Sequence, residues 1–470
     1  MVASSAASRS SAPIWRPCDQ GRGVFRITSF SLVLNYTFAA GVIDRAGSDD
    51  GTYFAMRIAI IGSGIAGLTS AHLLSRHHDV TVFEIDSRPG GHAHTVDVTI
   101  ADETHAVDTG FIVYNERNYP GLTRLFAHLG VATSPSDMSF SVSDPRHGLE
   151  WRSSTLNTVF AQRRNLLRRD FVTMLADIGS FNRQARKLLT DGRISHSLSL
   201  REMLEAGPWS ERLREWYLAP MVSAIWSAPM VDALEIPAAT FARFFDNHGL
   251  LSLGDRPHWR TVTGGSRAYV EKIAAPLGRR LRVNTSVSKV TRRRDGVEVT
   301  SDVFGPETFD HVVLATHSDQ SLALLSDPSE AEREILGAIR YQPSAVVLHT
   351  DETLLPRSRR AWASWNYRLG FDDSAATVTY HMNQLQSIPS RHQILVSLNQ
   401  TDRIDAERIV GEFDYSHPVL DAGAIAAQRR VAEIDGRRGT WFAGAYWGYG
   451  FHEDGLQSAL RVCRHFGVEL

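Results

Sequence analysis

The sequence predicts an α/β protein: a parallel sheet with packed helices, assembled from the two ends of the chain. Three stretches predict it. An apolar run at 57–61 leads into a Gly-rich turn and a helical segment. A second short run, 79–83, ends on an acid. At the far end, "GTWFAGAYWGYGFHEDGLQSALRVCRHF", residues 439–466, reads as a short strand, a Gly-rich aromatic turn and a helix.

The first unit carries most of the inference. Arg57-Ile58-Ala59-Ile60-Ile61 is a continuous apolar run, as a strand buried on both faces requires. Gly62-Ser63-Gly64-Ile65-Ala66-Gly67 follows and matches G-x-G-x-x-G. In that pattern Gly62 makes the tight turn, Gly64 lets the backbone approach a pyrophosphate, and Gly67 lets the helix lie close to the strand. The helix from about Gly64 to Ser75 then directs its first N–H groups at phosphate. The second strand, 79–83, ends at Glu84, placed where a carboxylate holds a ribose hydroxyl.

After Glu84 the chain reads Ile85-Asp86-Ser87-Arg88-Pro89-Gly90-Gly91-His92. Paired glycines at this point let the backbone pass a second phosphate and a ribityl chain, and Arg88 suits a phosphate or a carboxylate. "HAVDTGFIVYN", 105–115, is a strand ending in an Asp108-Thr109-Gly110 turn. The helix that starts near Asp454-Gly455 would aim N–H groups at a flavin carbonyl or ribityl oxygen. A chain that takes a nucleotide at its start and closes the site at its end is the plan of one class of FAD domain, so FAD is the expected cofactor.

Composition sets limits. The chain has 470 residues, net charge −2, two cysteines (Cys18 and Cys463) and three lysines (Lys187, Lys272 and Lys289). The charge gives no field to recruit nucleic acid. Two isolated cysteines carry neither a disulfide framework nor a CxxC pair, which fits a reducing cytoplasm. Residues 1–55 differ from the rest, being rich in Ser, Ala and Arg. Three readings stand for them: a transit-like segment, a weak signal sequence over 27–43, or translation that begins at Met56.

At this point a family resemblance is clear. The chain resembles the superfamily of flavin-containing amine oxidases, protoporphyrinogen oxidases and phytoene desaturases. It is most similar to a bacterial branch of predicted NAD/FAD-binding proteins often encoded beside cyclopropane-fatty-acid-synthase-like methyltransferases. GSGIAGL, RPGGH, DTGFIVYN, "PMVSAIWSAP" (220–229), "FFDNHGLLSL" (244–253), "WRTVTGGSRAYV" (259–270), "VVLATHSDQ" (312–320) and "GAYWGYGFHEDGL" (444–456) carry it. The resemblance implies a Rossmann-like FAD-binding domain of the glutathione-reductase type, amine-oxidase-like, with an inserted α+β substrate domain. It also implies that Val287 meets the adenine through its backbone, that Thr316 lies near the cofactor, and that Gly444 makes a second glycine contact. The acid that often follows that glycine is replaced by Ala445. The expected organisation is an FAD domain over 56–115, 262–318 and 431–470, and a substrate domain over 116–261 (mostly helical) and 319–430. Strand-like runs at 344–350, 376–382 and 393–399 would form a sheet roofing the substrate cavity.

Hydride transfer to a flavin needs a positioned C–H bond and a site that excludes competing reactions. Tyr446, Trp447, Tyr449, Phe451 and His452 of the closing turn are the candidates to line it, with Tyr114, Trp226 and His248 facing them. Tyr446 and Phe451 are expected at the substrate cavity. His452 and Glu453 are read either as acid/base groups or as helix caps. No cysteine lies in the closing turn, so FAD is expected to be non-covalent. There is no second G-x-G-x-x-G for an NAD(P)H domain, and none of the three lysines falls where amine oxidases place one near the flavin. No His, Cys or acid cluster has metal-ligand spacing, so no metal is expected.

These absences favour dehydrogenation, desaturation or isomerisation of an apolar substrate over amine oxidation, and the methyltransferase association of the resembled branch implies a fatty-acyl or lipid one. A non-catalytic flavoprotein partnering a lipid methyltransferase is the third reading. "TLNTVFAQRRNLLRRDFVTMLADIGSFNRQARKLL", 155–189, sets apolar residues at helical spacing among arginines. It reads as a solvated helix face or as peripheral membrane contact.

Overall fold

The computed structural model describes residues 55–192, 198–252, 254, 256–370 and 376–470. The readings made for the N-terminal extension therefore lie, Ala55 apart, outside the described residues.

The central sheet has five strands in the order Leu281–Arg282, Asp79–Phe83, Arg57–Ile61, His311–Leu314 and Thr440–Phe442. Every neighbouring pair is parallel. Parallel strands need crossover connections and burial on both faces, which is why these segments are apolar runs. Ile58 and Ile60 face one core with the helix Ile65–Leu74 and the closing helix His452–His465. Ala59 and Ile61 face a second core with Phe309, Phe442 and Tyr446. That second face is covered partly by an antiparallel sheet of Val287–Arg292, Val297–Ser301 and Gly305–Phe309.

A seven-stranded sheet runs Ile409–Pro418, Tyr341–His349, Leu395–Leu398, Val378–His381, Trp365–Arg368, Phe140–Asp144 and Leu149–Arg152. It is antiparallel except where Trp365–Arg368 pairs with Phe140–Asp144. The three strand-like runs at 344–350, 376–382 and 393–399 all lie in it. Two of its strands come from 116–261, so that region is not helix alone. A third core, which includes Phe171, Trp216, Phe241, Phe244 and Phe245, joins this sheet to the helices Arg169–Thr190, Ala219–Trp226 and Ala238–Asn247. Among the described residues no helix is long and apolar enough to cross a membrane.

Candidate active site

The order of the central sheet fixes where a ligand enters. The chain winds outward in one direction from Arg57–Ile61 and in the other from His311–Leu314, and ligands bind in the crevice beyond the carboxyl ends of such a strand pair. Gly62 and Thr316 stand at that crevice. Gly62 has φ +98°, open to glycine without strain, and its N–H donates to the Phe83 carbonyl at 2.8 Å. A Cβ on Gly67 would lie 1.9 Å from the Gly62 carbonyl oxygen, so only glycine lets the helix start this close to the strand. A Cβ on Gly64 would meet no atom within 4 Å. The helix behind it has no side-chain cap and no acid in its first turn.

Glu84 is buried and anchors the turn. One oxygen accepts from the Ser63 N–H (2.9 Å) and hydroxyl (2.5 Å), the other from the Asp86 N–H (3.0 Å). Arg88 donates to the carbonyls of Gly91 (3.0 Å) and Ala93 (3.4 Å), holding the Gly90-Gly91-His92 loop in shape. Gly91 abuts Gly64, Gly110 packs on the His92 carbonyl, and Thr316 stands over Gly62. Buried Ala66 accepts from the Ser70 hydroxyl. Val287 begins a strand two residues after Thr285, whose N–H donates to the Glu84 carbonyl at 2.8 Å.

Over His92 lies a strand that the sequence reading did not single out, Ile409–Pro418. Its residues alternate between half-buried and exposed as far as Tyr415 and are half-buried from there on, and Phe413, Tyr415 and His417 point to one side. Ring centroids of His92 lie 5.0 Å from Tyr415, 5.6 Å from His417 and 6.1 Å from His317. The Tyr415 hydroxyl bonds Thr109 Oγ1 (2.8 Å) and His94 Nδ1 (2.9 Å). Burial pushes the imidazoles of His94 and His417 down to about 4 and that of His92 well below its usual range. All three are neutral near pH 7. His92 Nε2 and His417 Nδ1 are buried without a protein partner.

The closing turn gives two of the four catalytic candidates structural surroundings. Tyr446 is 2 % exposed and packs into the core beneath the sheet, with its ring 4.8 Å from Trp447. Its ring sits among core residues, because the one-turn helix Ala445–Trp447 tips it onto the sheet's covered face. Glu453 is a cap. Its two oxygens accept the N–H groups of Gly121 and Leu122, both at 2.9 Å, at the start of the helix Pro120–Leu129. That helix has no side-chain cap of its own, which leaves these donors for Glu453 to satisfy.

His452 and Phe451 fare differently. The His452 ring stacks on Phe111 at 3.7 Å and shares a 3.1 Å hydrogen bond with the Tyr269 hydroxyl. Burial drives its pKa down to about 3, so it is neutral near pH 7. Phe451 lies where the sheet core meets the insert core, stacked on Phe244 at 5.4 Å. Phe244 also touches Trp226 (4.7 Å), His248 (3.9 Å) and Tyr449 (5.6 Å). Phe244 is thus the hub of an aromatic cluster that sequence reading populated without finding its centre. Tyr114 packs elsewhere, edge-on to Phe126. The Gly444 N–H donates to the Ser458 hydroxyl at 2.8 Å, and a Cβ on Gly455 would lie 2.8 Å from Ile65 Cγ2. The close approach at Gly455 is therefore between two helices.

Asp108 was also missed as a junction. Fully buried, it accepts from Thr95 (2.6 Å), the Ser266 N–H and hydroxyl (2.8 Å each) and Gln386 Nε2 (2.9 Å). Burial raises its pKa to about 6 against these bonds.

The family model for flavin containing amine oxidoreductases matches residues 65–361. The chain belongs to that family. AofH of Mycobacterium tuberculosis, named as a flavin-containing monoamine oxidase, is 26 % identical over 283 residues, 58 % of this chain. The chain spans only 59 % of the length of that curated relative. Three solved structures share the fold. A CLA-producing fatty acid isomerase from P. acnes has TM-score 0.63 and 19 % identity, covering 87 % of this chain and 99 % of that one. Cyclohexylamine oxidase from Brevibacterium oxydans has 0.62 and 15 %, covering 88 % and 100 %. A protoporphyrinogen oxidase homologue from Exiguobacterium has 0.61 and 18 %, covering 88 % and 99 %.

FAD is the cofactor this family membership brings, and the crevice suits it. An uncapped helix N-terminus faces open space at Gly64, as a pyrophosphate requires. The orphaned His92 nitrogen offers a further polar contact.

Proposed function

We propose that this flavin-containing family member is an FAD-dependent oxidoreductase that takes a hydride from an apolar substrate, fatty-acyl or lipid in character. FAD supplies the hydride acceptor. The segments 56–115, 262–318 and 431–470 hold it, with contacts from Ser63, Gly64, Glu84, Gly91, His92, Thr109, Thr316 and Gly444. FAD is held without a covalent link. The segments 116–261 and 319–430 shape the substrate site, with Phe451, Phe244 and the row Phe413, Tyr415 and His417 against it.

One observation carries the choice of substrate. Four buried or half-buried acids around the crevice are already engaged, and the exposed Asp86 stands outside them. Glu84 holds Ser63, Asp108 holds Ser266, Glu453 caps a helix, and Asp454 accepts from the Phe451 N–H at 3.0 Å. A substrate ammonium would enter without a carboxylate to pair it, and an unpaired charge is costly to bury. Neutral imidazoles and aromatic rings suit a hydrocarbon instead.

The second reading is a flavin amine oxidase, favoured by the family's description and by the monoamine-oxidase name of the curated relative. Anaerobic titration separates the two. The flavin absorbance of the purified protein should bleach with methyl-branched, cyclopropane or unsaturated acyl lipids. Bleaching by primary amines and not by lipids would overturn the proposal. Oxidised flavin with every candidate, together with tight binding of a cyclopropane-fatty-acid-synthase-like methyltransferase, would make the chain a partner protein. For a lipid substrate the natural place of work is the cytoplasmic face of a membrane.

A further inference from the structure

Among the described residues, the exposed large apolar side chains include an adjacent pair, Val303 and Phe304, and a larger group in one stretch of the chain. Leu156 (79 % exposed), Leu166 (53 %), Leu167 (89 %) and Val172 (46 %) all fall within one short stretch. The stretch comprises the helical turn Leu156–Val159, the turn Arg163–Leu167 and the first turn of the helix Arg169–Thr190. Burying such residues in the protein would have been favourable, so four of them left in water mark a contact surface.

The same stretch is strongly basic. It carries Arg163, Arg164, Arg168 and Arg169 against a single acid, Asp170, which Arg168 already holds at 2.8 Å. The segment Arg359–Ala361 packs against Leu156–Val159 and brings further arginines to this side. Beside it opens a groove of about 820 Å³ lined in part by Arg164, Arg357 and Arg359. The buried acids of that groove are occupied. Glu150 accepts the N–H groups of Arg357 (2.8 Å) and Ser358 (2.9 Å), and Asp144 pairs with His147 (2.8 Å) and Trp216 (3.1 Å).

We propose that this face docks on an anionic phospholipid bilayer, with Leu156, Leu166 and Leu167 entering the acyl boundary and the arginines meeting lipid phosphates. Leucines flanked by arginines match the two layers of a membrane surface, apolar below and anionic above. A second copy of this chain fits poorly, because a two-fold contact sets each arginine cluster against its own image. The docking deepens the lipid-surface reading above and rests on it, since it brings the protein to where an acyl substrate resides.

The test uses the full-length, flavin-loaded protein and sedimentation with vesicles of phosphatidylcholine alone or mixed with phosphatidylglycerol. Binding to the mixed vesicles only, weakened by added salt, is expected. The Leu156→Glu/Leu167→Glu variant should bind at least about tenfold more weakly, and Arg169→Glu should weaken binding severalfold, each with unchanged flavin content and melting temperature. Absence of sedimentation by the wild-type protein overturns the proposal without using either variant. So does equal binding to both vesicle types, or an oligomer that Leu167→Glu dissolves while vesicles are ignored. Flavin reduction by a detergent-dispersed acyl lipid, measured without vesicles, reports separately on the proposed function. Docking and catalysis can therefore fail independently.

Discussion

The turn at 62–67 and the turn at 444–455 are both rich in glycine, both follow a strand of the same parallel sheet, and both lead into a helix that packs against it. They use glycine differently. In the first turn Gly64 faces open space, and the uncapped helix behind it presents donors to whatever enters. In the second, a Cβ on Gly448 would strike Asp454 and one on Gly455 would strike Ile65, so glycine there serves the protein's own packing. Gly64 leaves room and unsatisfied donors, as a ligand site must, whereas Gly448 and Gly455 have theirs filled by protein.

Ways to break this comparison follow from the largest expected effect down. Gly67→Val should abolish folding, because its side chain collides with backbone at Gly62 and neither element has room to withdraw; a soluble, cooperatively melting variant would contradict the packing. Tyr446→Ala should cost about 3 kcal/mol or more of stability while surviving protein keeps its anaerobic flavin-reduction rate. A stable variant with slow reduction would return Tyr446 to the cavity. Gly455→Ala should cost about 1–3 kcal/mol through the helix crossing, read by denaturant unfolding. Glu453→Ala should cost about 1–2 kcal/mol through the lost cap, with little change in the pH profile of reduction; a lost limb of that profile would restore Glu453 as an acid or base.

The histidines give a pH dependence. Unfolded imidazoles take up protons near 6.5, whereas the folded chain protonates His94 and His417 only at about 4 and His452 at about 3. Their contribution to stability is therefore full above the unfolded value and is lost as the pH falls through that window. His452→Phe should lessen the fall in melting temperature between neutral and acidic pH. An unchanged acid profile would mean the ring is not held neutral.

What was legible in the sequence follows the same division. The G-x-G-x-x-G turn, its strand and Glu84 are local, each placed within one strand–helix–strand unit, and their positions in the sheet could be read from spacing. The roof strand 409–418 carried a readable signal, Phe413, Tyr415 and His417 two apart, but Glu412 and Asp414 between them gave it the look of a loop. Its partners, His92 and Thr109, are more than 300 residues away. Glu453 caps a helix 332 positions earlier in the chain, and no window of sequence joins the two. Tyr446 could not be decided from sequence, because an aromatic among glycines looks the same whether its neighbour is a cofactor or a core.

The central claim is that Gly64 fronts a cofactor and not protein. Purified Gly64→Val protein, measured for flavin content and melting temperature beside flavin-free wild type, tests it most directly. The expected result is a folded, colourless protein that melts where the flavin-free wild type melts, since a Cβ at this position meets no protein atom within 4 Å. Stoichiometric flavin in the folded variant, or failure to fold at all, would contradict it.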